Sequence, residues 1–109
     1  MNIDDLLRVA VERKASDLHL KVGNYPHVRV DGELVPLSDF PRISGEDMLN
    51  MAFSMMSNRQ KQKFKECAEI DLAYGAAGLG RFRVNVFQQR GNVGIVLRVI
   101  PTKIRALEE

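Results

Sequence analysis

Two arginines in the last third of the chain, Arg83 and Arg98, could together bind an anion if the fold brings them side by side. They lie in RFRVNVFQQRGNVGIVLRVIP, residues 81–101, where two apolar-patterned stretches flank a glycine-containing turn. A guanidinium group binds phosphate or carboxylate oxygens through two parallel hydrogen bonds. Two arginines directly opposite each other on a strand pair repel. Such a pair is therefore either a solvated basic surface, or the partner of nearby acids, or a site for an anion, and composition does not decide among these readings.

The register between the two strands follows from their apolar residues, which must share one face in the core. Matching the two apolar sets pairs Phe82 with Val99, Val84 with Leu97, and Val86 with Ile95. That register puts Arg83 opposite Arg98 in an antiparallel pair. Arg81 falls on the same face, and the turn is formed either by Arg90 and Gly91 alone or by a four-residue loop around them.

The elements that carry this hairpin follow from periodicity and from capping residues. Three helices are predicted, over residues 2–14 with Asn2 as N-cap, after Ser44, and after Ser57. Further strands are predicted in SDLHLKV, in HVRVDGELVPL around its Asp-Gly turn, and in EIDLAYG. The order α-β-β-β-α-α-β-β-β predicts an α+β fold, an antiparallel β-sheet with helices packed mainly on one face.

Packing predictions follow from the same patterns. The buried side of the second helix is predicted to carry Met48, Leu49, Ala52, Phe53, Met55 and Met56. The third helix is much more polar, and its apolar contacts are predicted to come mainly from Phe64, Cys67 and Ala68, with the cysteine as inert packing. Pro36 in the return strand of the first hairpin predicts that this strand lies at an edge of the sheet.

The composition is that of one soluble globular domain. The chain has 109 residues, 45% of them hydrophobic and 28% charged, with 16 basic and 14 acidic side chains. That balance indicates neither a nucleic-acid partner nor membrane insertion, and no apolar run approaches the roughly 20 residues of a membrane span. MNIDDLLRVAVERK lacks the basic start of a signal peptide, and one cysteine without a CxxC or His/Cys cluster suggests no zinc. A cytoplasmic protein without a metal of its own is expected.

Four ordered motifs carry a resemblance to a known family. ASDLHL at 15–20, VRVDGEL at 28–34, GRFRVNVF at 80–87 and VLRVIP at 96–101 are similar to the N-terminal domain of the type IV pilus retraction ATPases, which drive twitching motility and belong to the secretion ATPase superfamily. The resemblance covers essentially the whole chain. It favours a retraction motor over an assembly ATPase, because the helix predicted near the first residue leaves no room for the additional N-terminal domain that assembly ATPases usually carry.

The resemblance implies a domain organisation. Residues 1–100 would form a PAS-like domain, and residues 101–109, PTKIRALEE, would begin a linker to a RecA-like ATPase domain. The phosphate loop of that domain, GxxxxGK[ST], does not occur in this sequence. The isolated chain is therefore expected to be a monomer without catalytic activity or cofactor, whereas the full-length protein would be a homo-hexameric ATPase that acts with the pilus machinery at the inner-membrane face.

The resemblance also implies roles for the two arginines. In this superfamily, two arginines of the N-terminal domain contact the terminal phosphates of ATP, which is bound with Mg²⁺ at the adjoining ATPase domain of the same or a neighbouring subunit. Matched to the motifs, they are Arg83 and Arg98, with Arg81 as a weaker candidate. Their role would be sensing or closure, and hydrolysis would occur elsewhere.

Four other polar residues have two readings each. Asp17 and His19 point away from the Leu18/Leu20 face, Arg29 precedes the Asp-Gly turn, and Asp31 is the first residue of that turn. Each is either an interface residue toward a neighbouring domain or a residue with a local hydrogen-bonding or turn-forming role. A PAS-like small-molecule sensory or protein-interaction module remains the alternative function. An enzyme in its own right has no visible nucleophile, base or metal set.

Overall fold

The computed structural model describes residues 1–76 and 78–100, and their elements follow the predicted order. The helices are α1 (Ile3–Glu12), α2 (Gly45–Ser54) and α3 (Asn58–Cys67). The strands are β1 (Asp17–Lys21), β2 (His27–Val30), β3 (Glu33–Pro36), β4 (Glu69–Ala76), β5 (Gly80–Gln89) and β6 (Asn92–Ile100). In the described residues they form one sheet in the order β3-β2-β1-β6-β5-β4, antiparallel throughout. The predicted α+β class is confirmed, and the arrangement is consistent with a PAS-like domain.

All three predicted N-caps are confirmed. The Asn2 side chain accepts a hydrogen bond from the backbone N–H of Asp4 at 2.8 Å, and Ser44 Oγ accepts one from the N–H of Asp47 at 3.0 Å. Ser57 forms a reciprocal capping box with Gln60, which satisfies two backbone donors at the start of α3. The helix starts are thus determined by short-range hydrogen bonds.

The predicted Asp-Gly turn is also confirmed, and the β5–β6 turn takes the two-residue form of its two predicted alternatives. Asp31 and Gly32 have φ values of 52° and 84°, and Arg90 and Gly91 have φ values of 54° and 83°. Positive φ at both central positions is the signature of a type I′ turn, whose twist matches that of the strands it joins. The first turn joins β2 to β3 and the second joins β5 to β6. Pro36 lies in β3 at the edge of the sheet, as predicted.

One face of the sheet packs against the helices and forms the core. Alternate strand residues are almost fully buried there, among them Leu18, Val28, Phe82, Val84, Ile95 and Leu97. The helices contribute Leu6 and Leu7 from α1 and Met48 and Met51 from α2 to the same cluster. The other side of the sheet carries the polar members of each alternating strand, and we call it the open face.

Two packing predictions are wrong. Leu49 was expected on the buried side of α2 but is 40% exposed, and Met51, one turn after Met48, takes the buried position. Cys67 was expected to be inert packing but is exposed, as is Ala68. Cys67 is the last residue of α3, and Ala68 caps that helix in the left-handed conformation, so the buried stripe of α3 ends at Phe64.

Two findings bear on chain organisation. Of the helices that the structure describes, none has the length and apolar character needed to cross a bilayer. The predicted linker, residues 101–109, lies outside the described residues, and the last described strand, β6, extends to Ile100.

Candidate anion-binding site

The two arginines lie opposite each other in the structure. Arg83 of β5 is the register partner of Arg98 of β6, and the three predicted apolar pairs of this hairpin also form. Both arginines are exposed on the open face, while their strand neighbours Val84 and Leu97 are 2% and 1% exposed on the core face. The predicted register is therefore confirmed at every pair that it named.

Sheet order adds two residues that sequence reasoning did not connect to the pair. Because β1 lies between β2 and β6, Asp17 is the register partner of both Arg29 and Arg98. Arg29, Asp17, Arg98 and Arg83 therefore form a continuous line across four strands of the open face, which we call the arginine row. Sequence reasoning singled out each residue but missed the row, because it depends on pairing between β1 and β6, which lie more than half the chain apart.

Neither Arg83 nor Arg98 forms an ion pair within 4.0 Å in the described part of the chain, although Asp17 lies across the strand from Arg98. The ion pairs within 4.0 Å there join Met1 to Asp47, Arg8 to Asp5, and His19 to Asp17. Arg29, in contrast, donates a hydrogen bond to the carbonyl of Gly32 at 3.0 Å. Acids of the described residues therefore do not hold either arginine in a direct ion pair.

Two acidic residues of β4, next to the arginine pair, accept hydrogen bonds from the side-chain amide of Asn85. Asn85, next on the open face after Arg83, donates through Nδ2 to Asp71 Oδ1 at 2.8 Å and to Glu69 Oε2 at 3.1 Å. The two arginines, Asn85, Asp71 and Val96 line a shallow depression of about 290 Å³. Two guanidinium groups that make no direct ion pair beside an open depression can bind a phosphate or a carboxylate from outside the chain.

The remaining candidates lie at the other end of the row or beside it. Asp17 Oδ2 lies 3.7 Å from His19 Nε2, and this nitrogen is buried without a hydrogen-bond partner. Asp31 is exposed in the turn after β2, and Arg81 is exposed opposite Ile100, one position beyond the Arg83–Arg98 pair on the open face. Among the described residues, no group of three or more His, Cys, Asp or Glu side chains is arranged to hold a metal ion.

Comparison with known sequences gives a consistent result. No protein-family model matches the chain. The chain is 36% identical over 109 residues to the type IV pilus retraction ATPase PilT of Pseudomonas aeruginosa, and 40% identical over 109 residues to the type IV pilus ATPase PilU of the same organism. A twitching motility protein of Neisseria gonorrhoeae is 32% identical over 84 residues. All of this chain is matched in PilT and PilU, but it spans only 31% and 28% of their lengths.

Comparison with solved structures supports the same relationship. A crystal structure of the pilus retraction motor PilT with bound ADP superposes with a TM-score of 0.87 at 44% identity, over 94% of this chain and 30% of that one. The X-ray structure of the ATPase DotB of Legionella pneumophila superposes with a TM-score of 0.75 at 23% identity, over 98% of this chain and 34% of that one. At that identity the second match shows a shared fold.

Proposed function

This chain belongs, as a homologue of their N-terminal domain, to the type IV pilus retraction ATPases of the secretion ATPase superfamily, and from that premise we propose that it is the nucleotide-sensing domain of a pilus retraction motor. Residues 1–100 dock on a RecA-like ATPase domain of the same or a neighbouring subunit. Arg83 and Arg98 contact the terminal phosphates of the ATP that is bound there with Mg²⁺. The chain itself is not catalytic.

One observation carries this proposal, namely the Arg83–Arg98 pair on the open face without a carboxylate within 4.0 Å in the described residues. Opposed like charges destabilise a sheet, and a bound polyanion converts that repulsion into attraction. A phosphate group is suited to the pair because each guanidinium group remains charged at physiological pH and presents several donors in a fixed plane. The pair would therefore bind the phosphates more strongly than either arginine alone.

The charge of the nucleotide gives the pair a mechanical role. With ATP bound, the terminal phosphate attracts both arginines and holds this domain closed over the nucleotide. After hydrolysis and phosphate release, the attraction is weaker and the domain opens, as in other enzymes whose domains close around a ligand. In a homo-hexamer at the cytoplasmic face of the inner membrane, this cycle would drive pilus retraction. Asp17, His19, Arg29 and Asp31 would contribute to the interface with the ATPase domain, and Arg81 would lie at its rim.

The test uses the full-length motor that contains this domain. Arg83→Ala and Arg98→Ala should each lower ATPase turnover at least about tenfold, because a hydrogen bond to a charged group contributes about 1.5–3 kcal/mol. Arg59→Ala, an exposed arginine of α3 that does not line the depression of Arg83 and Arg98, is the matched control and should retain normal turnover. Ring assembly is checked by size-exclusion chromatography. Normal turnover in both arginine variants, with intact rings, would return the pair to the role of a solvated surface.

A further inference from the structure

A second depression lies on the open face, beside the one that the two arginines line. It has a volume of about 400 Å³ and is lined by residues of β1 and of the β5–β6 hairpin, among them His19, Lys21, Phe87, Gly94 and Val96. No residue of α1, α2 or α3 lines it. The depression therefore lies on the side of the sheet away from these three helices, the side that also carries the arginine row. We call it the Phe87 depression.

The aromatic ring in this depression is held in place by a glycine. Phe87 of β5 is the register partner of Gly94 of β6, and a Cβ atom at Gly94 would lie 2.6 Å from Phe87 Cζ and 2.7 Å from Phe87 Cε2. The ring therefore lies across the bare backbone of the glycine, an arrangement by which aromatic residues cover glycines in sheets. Phe87 remains only half-buried, so the ring packs against Gly94 and is still accessible from outside the domain.

Polar groups surround this ring. Gln89 and Asn92, which close the β5–β6 hairpin before its turn, place amide groups at the rim of the depression. His19 Nε2 is buried and has no hydrogen-bond partner in the structure. An apolar floor with a few polar groups at its edge is typical of small-molecule sites. Stacking on an aromatic ring, together with amide hydrogen bonds to a ring edge, is how proteins bind nucleobases.

The spacing of the Phe87 depression connects it to the arginine pair. Phe87 and Gly94 are each four residues along their strands from Arg83 and Arg98, so both pairs lie on the same face about 13 Å apart. Val96, two residues from Arg98, lines both depressions, which therefore adjoin. This span is comparable to the reach of a nucleoside triphosphate from its terminal phosphate to its base.

We propose that the Phe87 depression binds the nucleobase of the same nucleoside triphosphate whose terminal phosphates contact Arg83 and Arg98. The base stacks on the Phe87 ring, and the amides of Gln89 and Asn92 provide hydrogen bonds to its edge. The inference rests on the proposed function, because that function brings the nucleotide to the open face. It adds that this domain distinguishes a nucleotide from a bare polyphosphate.

The test compares ATP with inorganic triphosphate as ligands of the full-length motor, by isothermal titration calorimetry. Phe87→Leu keeps an apolar side chain and removes the ring. It should weaken ATP binding about 5- to 150-fold, the range for loss of base stacking, and leave triphosphate binding unchanged. Phe40→Leu, a half-buried phenylalanine between β3 and α2, is the matched control and should change neither affinity.

The two ligands separate failure of this inference from failure of the proposed function. Arg98→Gln should weaken both ATP and triphosphate if the arginine pair binds phosphates, whatever Phe87 does. If Phe87→Leu and the unmutated protein bind ATP with equal affinity, the base site is refuted. It is also refuted if Phe87→Leu weakens the binding of ATP and of triphosphate equally, because that result would indicate that the ring packs against the ATPase domain. Thermal unfolding of each variant confirms that the fold is retained.

Discussion

Replacing Arg83 with glutamine should stabilise this domain, although the same change is expected to impair the motor. Arg83 lies opposite Arg98 on one side and opposite Ala73 on the other, so no carboxylate directly across either strand offsets the repulsion between the two cations. Glutamine keeps a long polar side chain at this exposed strand position and removes the charge. In the unfolded chain the two arginines do not lie opposite each other. The substitution therefore removes a repulsion that is present only in the folded state.

The magnitude follows from the register. A cross-strand pair changes stability by about 0.2–1 kcal/mol, and like charges directly opposite are unfavourable. We therefore expect Arg83→Gln to raise the free energy of unfolding by about 0.5 kcal/mol, which is a rise in Tm of about 2–4 °C for a domain of this size. The gain for Arg98→Gln should be smaller, because Asp17 lies opposite Arg98 on its other side and its attraction is lost with the charge.

Urea unfolding of the domain at low and high salt provides the assay. The gain from Arg83→Gln should be measurable at about 20 mM salt and absent at about 1 M salt, where the Debye length falls to about 3 Å. Arg59→Gln on α3 should change stability little at either salt concentration. A loss of stability in Arg83→Gln at low salt, or a gain that persists at high salt, would refute the claim that the two arginines repel each other in the folded domain.

Three further predictions concern other parts of the structure. Tyr74 OH donates to Asp4 Oδ1 at 2.8 Å, and burial, then this hydrogen bond and the charge of Asp4, raise the pKa of Tyr74 above 10.0. Stability should therefore fall as pH rises past about 10, because the unfolded phenol ionises first, and Tyr74→Phe should reduce that fall in urea unfolding from pH 9 to 11. Gly94→Ala should cost about 1–3 kcal/mol through collision with Phe87, and much less in a Phe87→Ala background, as a thermal-unfolding double-mutant cycle would show. The exposed thiol of Cys67 should react with an aromatic disulfide as fast in the native chain as in urea, and slow native labelling would show that it is shielded.

The predictions that the structure confirms are those that depend on neighbouring residues. The caps at Asn2, Ser44 and Ser57 depend on contacts within three residues, and the Asp31–Gly32 turn depends on two residues that accept positive φ. The Arg83–Arg98 pair was predictable because the alternation of apolar residues permits one register with a buried face. In each case the information lies within one helix turn or one hairpin.

The features that sequence reasoning missed depend on pairing between strands that are far apart in the chain, or on the residue at which a helix ends. The proximity of Asp17 to Arg98 requires that β1 pair with β6, and the alternating pattern of β1 is compatible with several neighbours. Several donors lie near Asp71, and only the side-chain geometry shows that this carboxylate accepts a hydrogen bond from Asn85. The exposure of Cys67 depends on where α3 ends, which is the least certain part of a periodic pattern.

The central place of β6 in the sheet has a consequence for synthesis of the protein. Among the described strands β6 is the last to be translated, yet it alone joins the β3-β2-β1 half of the sheet to the β5-β4 half. A nascent chain that stops before Asn92 therefore holds two separate sheet fragments, neither of which can cover the helices by itself. Folding of the domain must wait for release of β6 from the ribosome, and long-range pairing of this kind is slow. A truncation that removes β6 should divide the sheet at its centre, whereas loss of β3 would trim its edge.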